Sequence, residues 1–200
     1  MLDEMGPLNE RLKAEAKAEG RKHVPLIVGL GLNTGQCVVG NMGSDQRFDY
    51  SVLGDTVNLA ARLEGQSKSY GMNVVLGPTT NAAVADRLAT IDLDFIQVKG
   101  KTSGTHIYGL MGDSDLRKKP AFTKLQTMIS EALNTYRAQD FDKAKELFNS
   151  IRTLGGIEQR PWSLDITLDT FCDLYEERIA EYKTNPPAKD WDGVFIATSK

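Results

Sequence analysis

Hydrophobic positions along the chain follow two spacings, and the change falls near residue 112. Between residues 2 and 20, Met1, Met5, Leu8 and Leu12 recur three or four apart, which places them on one face of a helix that Pro7 interrupts or restarts. From Leu26 to Leu32 (LIVGLGL), and again in CVVGN after the turn at Thr34-Gly35, the apolar runs are short and bounded by glycine. That pattern predicts paired strands. A third strand is expected at 48–53, after the turn residues Gly43-Ser44-Asp45. Gly54-Asp55-Thr56 then opens a helix through VNLAARLEGQSKSYG that Gly71 should stop. NVVLG, IDLDFIQV and THIYGLM read as further strands, with a short helix after Pro78-Thr79. The order predicts an α+β fold whose strands are joined mostly by hairpins.

After Gly112 the pattern becomes helical. GDSDLRKKP reads as a polar linker at 113–120 between a first module, 1–112, and a second, 121–200. Leu125, Met128, Ile129, Ala132, Leu133 and Tyr136 make one helix face, and Phe141, Ala144, Leu147, Phe148 and Ile151 make another. The two should pair as a hairpin. A third stripe holds Leu164, Leu168, Phe171, Tyr175, Ile179 and Tyr182, and the Pro-led tail ending in VFIATSK reads as extended. The run ALNTYRAQDFDKAKELF is similar to one tetratricopeptide-type repeat with a capping helix. One repeat is too short for a solenoid, so this small α-helical module should pack on the first module or on a partner protein.

Composition narrows the function. At 200 residues the chain can bury a core, and a formal net charge of -3 without a Lys/Arg block argues against nucleic-acid binding. No apolar run approaches the roughly 20 residues of a membrane span, and the acidic, mixed N-terminus lacks the pattern of an export signal. Cys37 and Cys172 lie far apart within apolar patterns, so a disulfide framework is not expected and a cytoplasmic, reducing setting is. Any parent protein could still be anchored through upstream segments. His23 and His106 form no Cys/His cluster of the kind that binds zinc.

The densest chemical signal is DYSVLGDTVNLAARLE, residues 49–64. On a helix, Val57, Leu59, Ala60, Ala61 and Leu63 share a broad apolar arc, while Asn58 and Arg62, four apart, stand side by side at its edge. A guanidinium offers a rigid fork of donors to phosphate oxygens, and an amide can hold a hydroxyl. Spacing alone favours a solvated stripe on an amphipathic helix. The wider run VGLGLNTGQCVVGNMGSDQRFDYSVLGDTVNLAARLE, followed by VKGKTSGTHIYGL, resembles class III nucleotidyl cyclases, bacterial adenylate cyclases in particular, over about residues 2–111.

The resemblance implies a ferredoxin-like domain that dimerises, with the active site at the interface, where the ribose 3′-hydroxyl of ATP attacks the α-phosphate and cyclic AMP and pyrophosphate leave. It makes Asn58 the residue that orients the ribose and Arg62 the one that stabilises charge on the phosphate. Ser51 falls where the family contacts the adenine edge; a guanylate cyclase usually carries Cys there. Lys99 or Lys101 would supply the lysine that meets the triphosphate. The family's metal-binding strand and hairpin are expected upstream of Met1, so the core reads as N-terminally truncated, Mg²⁺ or Mn²⁺ is expected only in the intact enzyme, and this chain is expected to be nearly inactive alone. A homodimer or swapped assembly should cover the sheet edge left by the missing strands.

Two neighbouring readings are weaker. Gly100-Lys101-Thr102 imitates the end of a P-loop, but Phe95 stands where the earlier glycine is required and the segment joins two strands. Asp49 and Asp55 read as a turn carboxylate and a helix cap before they read as metal ligands. The alternative to an adenylate cyclase is a catalytically inert cyclase-like module that serves protein association.

Overall fold

The computed structural model describes residues 1–44, 47–97, 103–154 and 168–196. Helix α1 (Leu2–Ala18) keeps Pro7 within it, and Asp3 and Glu4 in its first turn and Lys17 in its last complement the helix dipole. Asn9 of α1 clasps the backbone of Leu26: its amide donates to the carbonyl at 2.9 Å, and its own oxygen accepts the Leu26 N–H at 2.7 Å. That clasp ties α1 to the extended stretch leading into β1 (Leu30–Leu32).

The next elements are β2 (Val38–Ser44), β3 (Arg47–Leu53), α2 (Asp55–Gln66), β4 (Val74–Leu76), α3 (Pro78–Val84), β5 (Ala89–Gln97) and β6 (Thr105–Gly112). The C-terminal part holds α4 (Ser114–Arg117), α5 (Pro120–Arg137), α6 (Phe141–Arg152), α7 (Asp169–Thr184) and β7 (Phe195–Ile196). The architecture is mixed α+β, with C-terminal helices following the strands. One sheet runs β1-β4-β6-β5-β7 and a separate ribbon pairs β2 with β3.

Strand pairing departs from the expectation at one place. LIVGLGL and CVVGN do not pair with each other. β1 lies parallel to β4, Leu30 opposite Val74, while β2 pairs antiparallel with β3, Val38 opposite Leu53. The connection from β1 to β4 is therefore a crossover through the ribbon and α2. Its cause is burial: β4 is buried at all three positions, as suits a strand flanked on both sides, and α2 needs a surface for Leu63, which is fully buried. The helix also ends earlier than expected, at Gln66, and Gly71 at φ +64 closes the following turn instead.

The stretch expected as a polar linker carries α4. The Asp113 carboxylate accepts the N–H groups of Asp115 and Leu116, both at 3.0 Å, and this cap lowers its carboxyl below the usual range. Leu116 then enters the core. One cluster of buried side chains runs from Leu63, Met72, Val75 and Ile91 through Leu125, Ile129 and Tyr136 to Phe148, Phe171 and Tyr175. The α5 and α6 faces meet as a helical hairpin, and α5 packs on β5, where the Gln126 amide donates to the Thr90 carbonyl at 2.7 Å. Leu164 of the expected third stripe lies outside the described residues, and the rest of that stripe falls on or beside α7.

α2 approaches β1 so closely that a Cβ on Gly31 would overlap the Ala60 carbonyl oxygen and the Glu64 amide nitrogen. Those are backbone atoms that cannot rotate away. Gly65, in the same helix, has open space around the position of a Cβ. Gly31→Ala should therefore destabilise the chain by about 2 kcal/mol or more, whereas Gly65→Ala should stabilise it by about 0.5–1 kcal/mol. Urea unfolding midpoints of the two variants check both signs.

Candidate active site

The turn before α2 is built from small residues and backbone contacts. Gly54 has φ +156 at the helix N-cap, and its carbonyl accepts the N–H groups of Val57 and Asn58, both at 3.1 Å. A Cβ there would press on the Gln36 carbonyl at 3.2 Å and on Cys37 at 3.3 Å. The Asn33 amide donates to the Thr56 carbonyl at 3.1 Å, and Gly35 lies against the Thr56 side chain. Asp55 sits in the first turn beside this cap rather than supplying it, where its charge complements the helix dipole. Asp49 lies on β3 and not in a turn.

With its apolar arc turned to β1 and β4, α2 leaves Asn58 exposed and Arg62 partly exposed. Among the described residues neither side chain has a hydrogen-bond or ion-pair partner. Ser51 is partly buried on β3 opposite Gly40, two residues before the strand ends and three before Gly54 leads into α2. The structure thus carries Ser51, Asn58 and Arg62 on one continuous β3–α2 unit. Lys99 and Lys101 lie outside the described residues.

A buried polar cluster escaped the sequence reading. Asp94 of β5 is 1 % exposed and Arg178 of α7 is 5 % exposed. Arg178 Nη1 donates to Asp94 Oδ2 at 2.5 Å, the Tyr70 hydroxyl donates to the same oxygen at 2.6 Å, and Arg178 Nη2 reaches the Tyr70 oxygen at 3.1 Å. The Phe95 N–H donates to Asp94 Oδ1 at 2.7 Å. Beside them the Tyr175 hydroxyl donates to the Leu93 carbonyl at 2.7 Å. Burial, reinforced by the Asp94 charge, pushes the Tyr70 and Tyr175 hydroxyls well above the usual phenol range, so both remain donors. The available signal was a charge set beside apolar positions in each element: Asp94 between Leu93 and Phe95, and Arg178 at helical spacing from Phe171, Tyr175 and Tyr182 on the apolar stripe of α7.

The other candidate ligands are accounted for by packing. His106 stacks on Phe95 with ring centroids 4.5 Å apart and stands 3.9 Å from Asp92, whose carboxyl burial pushes up against the pull of Arg137. Cys37 is exposed, whereas burial pushes the Cys172 thiol up to about 12. Among the described residues no group of three His, Cys, Asp or Glu side chains is placed to hold a metal ion. The donors described here do not fit a divalent-cation centre. A cavity of about 630 Å³ opens among Phe95, Tyr182, Trp191 and Phe195, and Ser51, Asn58 and Arg62 are not on its wall.

The chain belongs to the family of adenylate and guanylate cyclase catalytic domains, which matches residues 8–112. Adenylate cyclase 1 of Rhizobium meliloti is 35 % identical over 106 residues, 52 % of this chain and 16 % of that protein. An adenylate cyclase of Anabaena cylindrica is 36 % identical over 93 residues, 44 % of this chain and 18 % of its own length. The chain thus spans less than a fifth of either relative. Two solved structures are also similar. The adenylyl cyclase CyaB from P. aeruginosa is 34 % identical with a TM-score of 0.42, covering 50 % of each chain. The guanylyl cyclase Cya2 is 32 % identical with a TM-score of 0.41, covering 56 % of this chain and 54 % of the other.

Because Asn58 and Arg62 hold nothing in place, Asn58→Ala and Arg62→Ala should each leave the unfolding free energy within about 0.5 kcal/mol. Asp94→Ala, which strands Arg178 in the core, should cost about 3–5 kcal/mol. Chemical denaturation of the three variants measures the contrast.

Proposed function

We propose that the chain contributes the Asn58–Arg62 part of an adenylate cyclase active site, at which ATP is converted to cyclic AMP and pyrophosphate. The observation that carries this reading is an amide and a guanidinium left without partners on an exposed helix face, inside the segment that defines the family. Among the described residues no hydrogen bond or ion pair engages the Arg62 guanidinium, which leaves it open to an anion.

In the proposed reaction the ribose 3′-oxygen forms a bond to the α-phosphorus as the bond to the bridging oxygen of pyrophosphate breaks, and the hydroxyl proton passes to solvent. Such a transfer depends on positioning and preorganised positive charge more than on covalent help from the protein. Arg62 donates to a non-bridging α-phosphate oxygen as charge gathers there. Asn58, one helical turn earlier, holds the ribose so that its 3′-oxygen lies in line. Ser51 reads the adenine edge, and Lys99 or Lys101 meets the triphosphate. The Mg²⁺ or Mn²⁺ expected in the intact enzyme has no site among the described residues.

The ribbon that carries Ser51 is open on both sides. Val38 and Leu53, on the side of Ser51, and Val39, Tyr50 and Val52, on the other, are all exposed, as are Val24, Leu26 and Ile27 ahead of β1. Apolar surface of this extent favours association, and a second copy would supply the missing wall of a shared site.

Within the intact cyclase, Asn58→Ala and Arg62→Ala should each lower kcat by about a hundredfold while KM for ATP moves less than about threefold, with GTP a poor substrate. Unchanged turnover for Arg62→Ala would return the pair to an ordinary helix surface and favour an inert association module. Equal use of ATP and GTP would remove the role given to Ser51. The chain by itself should make no cyclic AMP with Mg²⁺ or Mn²⁺ and should run as a dimer in light scattering. Robust synthesis would contradict the first expectation, and a dilution-stable monomer the second.

A further inference from the structure

The polar cluster joins three pieces of chain, and one of them ends the helix that presents Asn58 and Arg62. Tyr70 closes the turn after α2, its N–H donating to the Gln66 carbonyl at 3.2 Å. Its hydroxyl is held between Asp94 at 2.6 Å and Arg178 at 3.1 Å. Arg178 is itself fixed on its far side, with the guanidinium carbon 3.4 Å from the centre of the Phe195 ring and 5.3 Å from that of Tyr175. Both terminal nitrogens are committed, one to each partner, while Nε has none.

We propose that Arg178 is a positioning residue for α2: through Asp94 and the Tyr70 hydroxyl it sets where that helix presents Asn58 and Arg62, which makes α7 a control arm on the candidate site. The meaning for catalysis rests on the reading of Asn58 and Arg62 given above; the mechanical link does not.

The packing explains why a change at Tyr70 should travel. α2 is one 12-residue helix, stiff on the scale of its roughly 18 Å length. It cannot move toward the sheet, because Gly31 already touches its backbone. Leu63 in its last turn and Met72 beyond its end are fully buried. A displacement of the Tyr70 ring must then turn α2 or slide it along its axis, and either motion moves Asn58 and Arg62. The link is also specific to a guanidinium, since a lysine ammonium is a single point that cannot hold Asp94 and Tyr70 with separate, fixed donors.

The test uses the whole 200-residue chain and three variants. Tyr70→Phe removes the hydroxyl and leaves the Asp94–Arg178 pair. Arg178→Lys keeps the charge and loses the fork. Asp94→Asn combined with Arg178→Gln removes both charges at similar shape. Amide hydrogen exchange is followed over 55–66, over the β2–β3 ribbon and over α6, together with the NMR signals of the Asn58 side-chain amide and the Arg62 Nε–H. In Tyr70→Phe, exchange across α2 should rise about tenfold and both side-chain signals should shift, while the ribbon and α6 stay as they were. Arg178→Lys should show the same pattern to a smaller degree, and the double variant to at least the same degree. If α2 exchange and both signals stay put in folded Tyr70→Phe, the proposal is overturned. It is also overturned by an equal rise in every element, which would make the cluster an ordinary stabiliser. Tyr70→Phe decides the matter even if the double variant fails to fold. Loss of the catalytic reading would appear separately, as unchanged turnover of Arg62→Ala in the intact cyclase with the exchange pattern of the 200-residue chain intact.

Discussion

A carboxylate that water scarcely reaches has to be neutralised by a partner brought to it, and Asp94 has Arg178. Left alone in the core, either charge would cost several kcal/mol. The two residues are 84 positions apart, on β5 and α7, so satisfying one charge draws the C-terminal helices onto the sheet. The Tyr70 hydroxyl adds the end of α2 to the same knot. What surrounds the pair is apolar and aromatic: Phe195 lies on the guanidinium, Tyr175 beside it, and Phe148 stacks on Tyr175 at 4.5 Å. The helices after residue 120 are thereby part of the core that supports the cyclase-family segment.

A second constraint acts from the opposite side of α2. Gly31 lets the helix backbone rest on β1, and Gly54 lets β3 turn into the helix. Between these contacts and Tyr70 the helix is fixed on its inner face and at both ends. Its outer edge carries Asn58 and Arg62, which have no hydrogen-bond or ion-pair partner among the described residues. Two polar side chains held on a rigid element would suit the phosphoryl chemistry proposed for them.

Local features of this fold were legible in the sequence and non-local ones were not. The α2 helix and its Asn58–Arg62 edge follow from a repeat that any helix must show, and most strands follow from short apolar runs between glycines. Which strands pair does not follow. Leu30–Leu32 is a three-residue apolar run that reads the same whether its neighbour is β2 or β4, and only the need to seat Leu63 and Leu59 of α2 decides. The 113–120 stretch looked like a linker because seven of its residues are polar, charged or proline; the eighth, Leu116, anchors it. Asp94 and Arg178 each resembled a surface charge. Nothing within either segment says that the other is its partner. Ser51, Asn58 and Arg62 can be proposed from sequence because they lie within one local motif.

If the buried pair binds the two parts of the chain into one body, they must unfold together. Calorimetry combined with tryptophan fluorescence, which reports on Trp162 and Trp191 beyond residue 120, the latter among the aromatic residues of the helical side, and far-UV ellipticity, which reports on the whole backbone, tests this directly. The account predicts one transition, with coincident midpoints and equal calorimetric and van't Hoff enthalpies. Two separated transitions, with the C-terminal helices melting apart from the 1–112 segment, would contradict it.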